Sequence, residues 1–306
     1  MKIVVIGSSN TDMVIKVPRL PKTGETILGG KFYTASGGKG ANQAVAAARA
    51  GGEITLVARV GNDMFGDKAI ESFKTEGIDT ANVIKDNDLP SGVAEIFSDE
   101  NGHSMIAVAS GANMNLSVYD IINAKKAILN ADIVLMQLGV PLKTLEYAAK
   151  LAVDNGKKVI LNPTPAQSLP IHFLKSITIL TPNEKEAEIL TGIRVEDEDS
   201  AEDAGKILLS KGASKIIITL GTKGAMVLDS SGSELVMGFK INPLDTTAAG
   251  DIFNGALAVA IAENKNIFEA VKFANAAAAL SIAKIGAQSS APMRDEIFKF
   301  MNENFL

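Results

Sequence analysis

Cysteine is absent from the 306 residues, and histidine occurs only twice, as His103 and His172. Without cysteine the chain has no disulfide, no thiolate nucleophile and no Cys-based zinc site, which fits a reducing compartment. Two isolated histidines do not make a catalytic zinc cluster, and we expect both of them to have surface roles. The sequence therefore disfavours thiol and zinc chemistry.

The sequence also lacks a basic excess and a long apolar run. Lys and Arg number 30 against 35 Asp and Glu, a net charge of −5, which disfavours nucleic-acid binding. The most apolar windows, 133–140 and 256–262, fall short of the ~20 residues that a membrane-spanning helix needs. The apolar start, residues 1–7, is too short for a signal peptide and is typical of a buried first strand. We expect a cytoplasmic protein with no membrane or nucleic-acid partner.

The order of apolar and helical patterns predicts the fold class. Short, continuously apolar strands alternate with helical segments, as in a parallel sheet that helices cover on both faces. We predict a single doubly wound α/β domain over residues 1–306, with a mostly parallel sheet. The predicted strands of this sheet are 1–7, 54–60, 133–138, 158–161, 177–180, 216–220, 225–229 and 234–237. The predicted helices are 41–50, 65–76, 142–155, 184–190, 201–210, 249–263, 268–285 and 291–300.

In two further pairs of segments, apolar and polar residues alternate nearly one for one, which indicates strands with one buried face. They are 11–17 with 25–33, and 91–98 with 104–109 across a turn at 99–102. Both pairs interrupt the α/β pattern. We therefore predict a small antiparallel sheet, from about 11–33 and 91–109, that folds over one edge of the domain as a lid.

The segment DTTAAGD, residues 245–251, leads small residues directly into a helix. The unpaired amides and positive dipole end of a helix N-terminus attract negative charge, and the small side chains of Ala248, Ala249 and Gly250 let a phosphate approach the backbone. At the edge of this anion hole, the Asp251 carboxylate could accept the proton of a hydroxyl that attacks a phosphoryl group. The alternative is that Asp251 only caps the helix.

Two other segments place polar groups before or after predicted elements. The segment GGKGANQ, 37–43, precedes a helix but is not a Walker A motif, since Gly40 stands where Ser or Thr is required. A tight connection is the alternative. Asn10 and Asp12 follow the first strand in GSSNTD, 7–12, which lacks the later glycines of a dinucleotide fingerprint. An Asx-turn would use the same residues.

Together, GGKGANQA at 37–44 and DTTAAGDIFNG at 245–255 resemble the two signatures of the ribokinase-like carbohydrate kinase family. The resemblance extends along the chain through 7–12, TPNEKEAE at 181–188 and TLGTKG at 219–224. It implies an ATP-dependent kinase that phosphorylates the terminal 5-hydroxyl of D-ribose. It also implies Mg²⁺, an activating K⁺ and a homodimer formed through the lid.

The resemblance assigns roles to individual positions. Asp251 matches the general base, and the amides of Ala249, Gly250 and Asp251 match the anion hole. The positions that match sugar contacts are Asn10, Asp12, Gly38, Lys39, Gly40, Asn42 and Asp251. Those that match nucleotide contacts are Asn183, Glu186, Thr219, Gly221, Thr222, Gly224, Gly250 and Asn275, with Asn183 and Glu186 also ordering Mg²⁺. Those that match the monovalent cation site are Asp245, Thr247, Ser281, Lys284, Gly286 and Ser290.

One position departs from the family pattern. The segment QLGVP, 137–141, has Gly139 where the family commonly has a sugar-contacting Glu. The departure leaves other acceptors open, such as deoxyribose, a ketose or a nucleoside. A non-catalytic sugar or nucleotide sensor is an alternative of another class, and a nicotinamide oxidoreductase is a more distant one.

Overall fold

The computed structural model describes residues 1–99 and 103–304, so most of the turn predicted at 99–102 lies outside the described residues. Within the described residues, the main sheet has nine strands in the order β13-β12-β11-β10-β9-β8-β1-β4-β5. The seven strands from β11 to β5 are parallel to their neighbours, and β12 and β13 extend the sheet as an antiparallel hairpin. The predicted doubly wound, mostly parallel α/β fold is confirmed.

The strands of the main sheet are as follows: β1 (Lys2–Ile6), β4 (Glu53–Gly61), β5 (Asp79–Asp86), β8 (Ile133–Gln137), β9 (Lys158–Asn162), β10 (Ile179–Leu180), β11 (Lys215–Thr219), β12 (Gly224–Asp229) and β13 (Gly232–Met237). The helices are α1 (Lys39–Arg49), α2 (Met64–Thr75), α3 (Val118–Asn123), α4 (Lys125–Asn130), α5 (Leu142–Asp154), α6 (Ile171–Leu174), α7 (Glu184–Thr191), α8 (Glu198–Ser210), α9 (Ala249–Ala262), α10 (Ile267–Ile282) and α11 (Arg294–Glu303).

The central strands are apolar throughout because both faces of the sheet are covered. Successive side chains of a strand point to opposite faces, so Ile3 and Val5 of β1 enter one core while Val4 and Ile6 enter the other. Helices α1, α2, α9, α10 and α11 pack on the first face, and α3 to α8 pack on the second. Among the described helices, none is both long enough and apolar enough to cross a bilayer.

A separate sheet of four strands, which we call the lid, has the order β3-β2-β6-β7. Its strands are β2 (Asn10–Lys16), β3 (Lys31–Gly37), β6 (Gly92–Ser98) and β7 (Ser104–Ala109). The sequence predicted an antiparallel lid, and this is wrong in one respect. The lid is a mixed sheet, because its two central strands β2 and β6 are parallel. Alternation defines the faces of a strand but does not specify the direction of its neighbour.

The strand predicted at 25–33 is also wrong in its bounds, since β3 begins only at Lys31. Gly29 and Gly30 have φ values of +94° and +109°, which interrupt extended backbone before Lys31. From Lys31 the chain pairs with β2 as far as Gly37, opposite Asn10. The lid strand therefore delivers the chain directly to the glycines that precede α1.

Candidate active site

The candidate site lies at the carboxyl ends of the parallel strands, where β1 lies between β8 and β4. Chain connections leave the sheet in opposite directions there, and open α/β sheets commonly bind ligands at such a point. The segment 7–10 follows β1, Gln137 ends β8 and Asn162 ends β9. The lid strands arise from the same edge, so the site has the main sheet below it and the lid above.

Helix α9 begins at this edge without a side-chain cap. Its N-cap residue is Ala248, in the left-handed conformation with a φ of +61°. The amide of Ala249 donates to the Thr246 carbonyl at 3.3 Å, whereas those of Gly250 and Asp251 have no hydrogen-bond partner in the described part of the chain. A Cβ atom at Gly250 would meet no atom within 4 Å. The turn therefore presents two free amides to an open space.

Asp251 lies on the first turn of α9, is 5% exposed, and points its carboxylate toward α1. Asn42 Nδ2 donates to Asp251 Oδ2 at 3.0 Å, and Gln43 Nε2 donates to Asp251 Oδ1 at 3.0 Å. Burial raises the pKa of Asp251, and the charge of Lys39 and the two amide donors oppose that rise. Because these contacts are to α1 rather than to its own helix end, the capping alternative is wrong. A buried carboxylate with a raised pKa has the chemistry of a general base.

The glycines before and within α1 allow close packing of two backbone segments. A Cβ atom at Gly38, where φ is +89°, would lie 2.5 Å from the Asn10 backbone nitrogen. A Cβ atom at Gly40 would lie 2.6 Å from the Gly7 carbonyl carbon. The close approach brings Lys39 and Asn42 beside the polar segment after β1.

The positions expected to contact the sugar are therefore gathered on one side of Asp251. The pKa of Asp12 is raised to about 6 by burial and by the negative charge of Asp251, while Lys39 acts to lower it. Asn10 Oδ1 accepts a hydrogen bond from Asn113 Nδ2 at 2.8 Å, and Asn113 Oδ1 accepts one from the Ser9 amide. Asn113 was not singled out from the sequence, because it lies in a short helical turn after the lid with no motif around it.

A mostly apolar cavity opens on the other side of the α9 N-terminus, between α9, α10 and the turn after β11. Seven of the eight expected nucleotide-binding positions line it: Asn183, Thr219, Gly221, Thr222, Gly224, Gly250 and Asn275. The side-chain amide of Asn275 donates to the Val236 carbonyl at 3.2 Å, so it anchors β13 at this wall. Glu186, the eighth position, lines a smaller adjoining cavity together with Lys39 and Asp251. The two cavities meet at Gly250, between the positions expected to contact the sugar and those expected to contact the nucleotide.

Asn183 and Glu186 form a reciprocal cap at the start of α7. Asn183 Oδ1 accepts from the Glu186 amide at 2.8 Å, and Glu186 Oε2 accepts from the Asn183 amide at 2.9 Å. Burial raises the pKa of Glu186. Among residues 1–99 and 103–304, no group of three or more Asp, Glu or His side chains could enclose a metal ion. A largely hydrated Mg²⁺ that also contacts phosphates needs few protein ligands, so this donor set fits that ion.

Three of the expected monovalent cation positions, Asp245, Thr247 and Gly286, meet at the turn before α9. Asp245 accepts from the amides of Thr247 and Gly286, each at 2.9 Å, so its carboxylate joins two of those positions. Burial acts to raise the pKa of Asp245, but these hydrogen bonds outweigh it and the pKa is lowered. The ammonium of Lys284 turns away to Glu296 at 3.0 Å. Ser281 and Ser290 donate their hydroxyls to local carbonyls, and the Ser281 carbonyl itself accepts from the Lys284 amide at 3.0 Å.

Gly139 lies just after β8 and borders the segment after β1. A Cβ atom there would lie 2.5 Å from Ser8 Oγ. A side chain at position 139 could therefore extend into the site only if the Ser8 hydroxyl moved away.

Comparison with known proteins places this geometry in a family. The model of the pfkB family carbohydrate kinases matches residues 1–294. The chain is 46% identical to the ribokinase of Haemophilus influenzae, over 97% of each chain, and 36% identical to a deoxyribokinase of Salmonella typhi, over 99% of this chain and all of that one. The solved structure of Arabidopsis thaliana ribokinase with ribose and ATP superposes with a TM-score of 0.92 at 33% identity, covering 100% of this chain and 99% of that one. With the family match along nearly its whole length and a buried aspartate at a helix N-terminus with free amides, the chain belongs to the pfkB family of carbohydrate kinases.

Proposed function

We propose that this protein is a ribokinase, which transfers the terminal phosphoryl group of ATP to the 5-hydroxyl of D-ribose and releases ADP. The observation that carries the proposal is the placement of the Asp251 carboxylate beside the free amides of Gly250 and Asp251. A base and an anion hole side by side are what an in-line attack of a hydroxyl on a phosphoryl group requires. The similarity to ribokinases of several organisms supports ribose as the acceptor.

The chain's own groups divide the reaction between them. Asp251 would accept the proton of the 5-hydroxyl as its oxygen attacks phosphorus, and the bond to the ADP oxygen would break on the far side. The free amides of Gly250 and Asp251 would stabilise the charge on the transferring group, and the Ala249 amide, which donates to the Thr246 carbonyl, would have to leave that bond to join them. Closure of the lid would exclude water, because ATP hydrolysis is the competing reaction.

The sugar would be held by groups with fixed hydrogen-bonding directions. Asn10, Asp12, Lys39 and Asn42 would contact the ring hydroxyls, and Gly38 and Gly40 would let the backbone approach the sugar. The nucleotide would occupy the apolar cavity beside α10, with its phosphates toward Gly250. Mg²⁺, when bound, neutralises phosphate charge, and it would be held near Asn183 and Glu186 through water. K⁺ beside Asp245 would support the turn that presents the amides.

Gly139 supports deoxyribose as a second candidate acceptor. Gly139 supplies no carboxylate where the family commonly has Glu, and one relative is a deoxyribokinase. An acceptor with one hydroxyl fewer would leave fewer groups unsatisfied in such a pocket. Deoxyribose is therefore the acceptor against which ribose has to be measured.

The remaining expectations concern the whole chain. We propose that residues 1–306 act as one domain with the lid as its mobile part, that the enzyme is a homodimer through the lid, and that it works in the cytoplasm. The dimer is supported by the apolar side chains that the lid exposes, among them Phe32 and Met105.

The first experiment is a coupled assay of ADP release with MgATP and K⁺, using ribose, deoxyribose, fructose, adenosine and a control without sugar. Ribose is expected to give the highest kcat/KM. Replacing Asp251 by Asn is expected to lower kcat by about 10³-fold, because the base is lost while the size of the side chain is kept. Asp154→Asn, on an exposed face of α5, is the matched control and should keep wild-type activity. Near-normal kcat in D251N, or no ADP release with any sugar, would contradict the proposed function.

A further inference from the structure

A chain of buried amides leads from the backbone to the carboxylate of Asp251. Gln43 is 0% exposed, and its Nε2 lies 3.0 Å from Asp251 Oδ1 and 3.1 Å from Asn162 Oδ1. Asn162 is 5% exposed, and its Nδ2 donates to the Thr181 carbonyl at 3.0 Å. Three elements therefore meet at this chain: α1 supplies Gln43, β9 supplies Asn162, and the segment after β10 supplies Thr181.

The Thr181 carbonyl fixes the direction of every hydrogen bond in this row of amides. A carbonyl only accepts, so Asn162 has to turn its NH₂ group toward Thr181 and its oxygen toward Gln43. Gln43 then has to present its NH₂ group, whose second hydrogen points to Asp251. A reversed Gln43 would place its oxygen against two other oxygens, those of Asn162 and Asp251. The hydrogen-bonded amides therefore always present an N–H donor, that of Gln43, to the Asp251 carboxylate.

This arrangement leaves one oxygen of Gln43 without a partner inside the described part of the protein. Two buried side-chain oxygens, Gln43 Oε1 and Asn42 Oδ1, have no hydrogen-bond partner among the described residues. An unpaired buried oxygen is unfavourable, and most native proteins avoid it. A nonpolar side chain of similar length would fill the same space without that penalty, so packing alone does not explain a glutamine here.

Gln43 also differs from Asn42 in what substrate binding would do to it. Asn42 is one of the positions expected to contact the sugar, so its bond to Asp251 would be shared with the ligand. Both hydrogens of the Gln43 amide are already committed inside the protein, and its side chain has no exposed surface. Its contact with Asp251 would persist through the catalytic cycle.

We propose that Gln43 and Asn162 are positioning residues for the base: Asn162 fixes the orientation of the Gln43 amide, and Gln43 fixes the carboxylate of Asp251 in the plane from which it accepts the sugar proton. This inference rests on the proposed function of Asp251. Gln43 has no exposed surface, and Asn162, which lines the small cavity beside Asp251, acts in this role through Gln43 rather than through the substrate. Their contribution is to kcat rather than to the binding of sugar or ATP.

The test compares Gln43→Met, which keeps side-chain length but removes both N–H groups, with the wild-type enzyme. Because a small misplacement of a catalytic group is costly, kcat is expected to fall about 10- to 100-fold while KM for ribose stays within about threefold. Asn162→Leu removes the orienting oxygen without touching Asp251 and should lower kcat in the same direction, by about tenfold. Thermal unfolding of each variant measures how far the fold is affected.

Thr144→Val is the matched control, because it also removes a buried hydrogen bond, that of Thr144 Oγ1 to the Leu116 carbonyl at 2.8 Å, and neither residue belongs to the hydrogen-bonded amides or to the expected site positions. It is expected to lower the unfolding temperature and leave kcat unchanged. A Gln43→Met enzyme with wild-type kcat, or with a raised KM and unchanged kcat, would overturn the inference. A kcat loss in Thr144→Val as large as that in Gln43→Met would do the same. A wild-type enzyme that phosphorylates no sugar would instead overturn the proposed function, and the inference with it.

Discussion

At the scale of single residues, the site concentrates negative charge around one cation. Half-buried Asp12 and buried Asp251 both lie near Lys39, and the charge of Asp251 helps to raise the pKa of Asp12 to about 6. Two carboxylates that influence each other release their protons as a pair, the first at lower pH than the second. The enzyme without substrate should therefore titrate within the range of ordinary assays.

This coupling predicts an acidic limb in the pH profile. The pKa of each carboxylate is raised. Asp12 becomes protonated as the pH falls through about 6. Asp251 also loses its basic form as the pH falls, because its pKa is raised as well. We expect kcat/KM for ribose, which reports groups of the free enzyme, to fall below about pH 6. Asp12→Asn should lower kcat/KM throughout and move the limb to lower pH, because it removes a like charge from Asp251. A kcat/KM that stays constant from about pH 8 to pH 5 would contradict this.

Sequence patterns singled out candidate residues that stand in motifs, but not the residues that orient them. Asp251 and Asn42 could be found because they stand in the two family signatures. Gln43 is in the first signature too, yet its contact with Asp251 joins residues 208 positions apart, and its orientation depends on Asn162 from another strand. The polarity of a buried amide is a property of its neighbours in space, which no local pattern contains.

At the scale of elements, the sequence predicted where most strands and helices occur but not which strands are neighbours. Continuous apolar segments correctly indicated β8, β9 and β11 in a parallel sheet. Strand β5, with partly exposed and charged residues, was not predicted because it lies at the edge of the sheet. The parallel pairing of β2 with β6 was missed because both strands alternate as antiparallel edge strands do.

One helix end connects the main sheet to the lid. Asp63 caps α2 by accepting from the amides of Phe65 and Gly66, and it also accepts from the amide and hydroxyl of Ser91, the residue just before β6. Burial acts to raise the pKa of Asp63, but these hydrogen bonds outweigh it and lower that pKa. The stabilisation is therefore present above the usual pKa of Asp and is lost as pH falls.

Asp63→Ala is expected to reduce the free energy of unfolding by about 2 kcal/mol, because it removes a helix cap and an attachment of the lid together. Asp197→Ala is the matched control, since Asp197 caps α8 at an exposed end and has no contact with the lid. It should cost less. Urea unfolding at neutral pH measures both variants, and an equal loss in the two would show that the Ser91 contacts contribute nothing.

At the scale of the whole molecule, the two faces of the lid have different surroundings. Cross-strand pairing puts Val14, Tyr33, Ile96 and Ile106 in one row, which lines the cleft above Asp245. The neighbouring row, on the opposite face, is Ile15, Phe32, Phe97 and Met105. Phe32 is 64% exposed and Met105 52%, so this row forms an apolar surface directed away from the cleft.

The proposed dimer should form through that outer row. Sedimentation velocity of the wild type at micromolar concentration is expected to show a dimer, and Phe32→Glu with Met105→Glu is expected to shift it to monomer by burying unpaired charge. Ile189→Glu is the matched control, because Ile189 is an equally exposed apolar residue on α7, at 61%. A wild-type monomer, or a dimer that persists in the double variant, would contradict this interface.

The parallel pair at the centre of the lid also bears on how the protein folds. Residues Asn10–Lys16 pair with Gly92–Ser98, and α1, β4, α2 and β5 lie between them in the chain. A pairing between such distant segments closes a long loop, which is entropically costly until the intervening elements have packed. The lid should therefore be the last part of the molecule to fold, after the sheet from which both of its chain segments emerge.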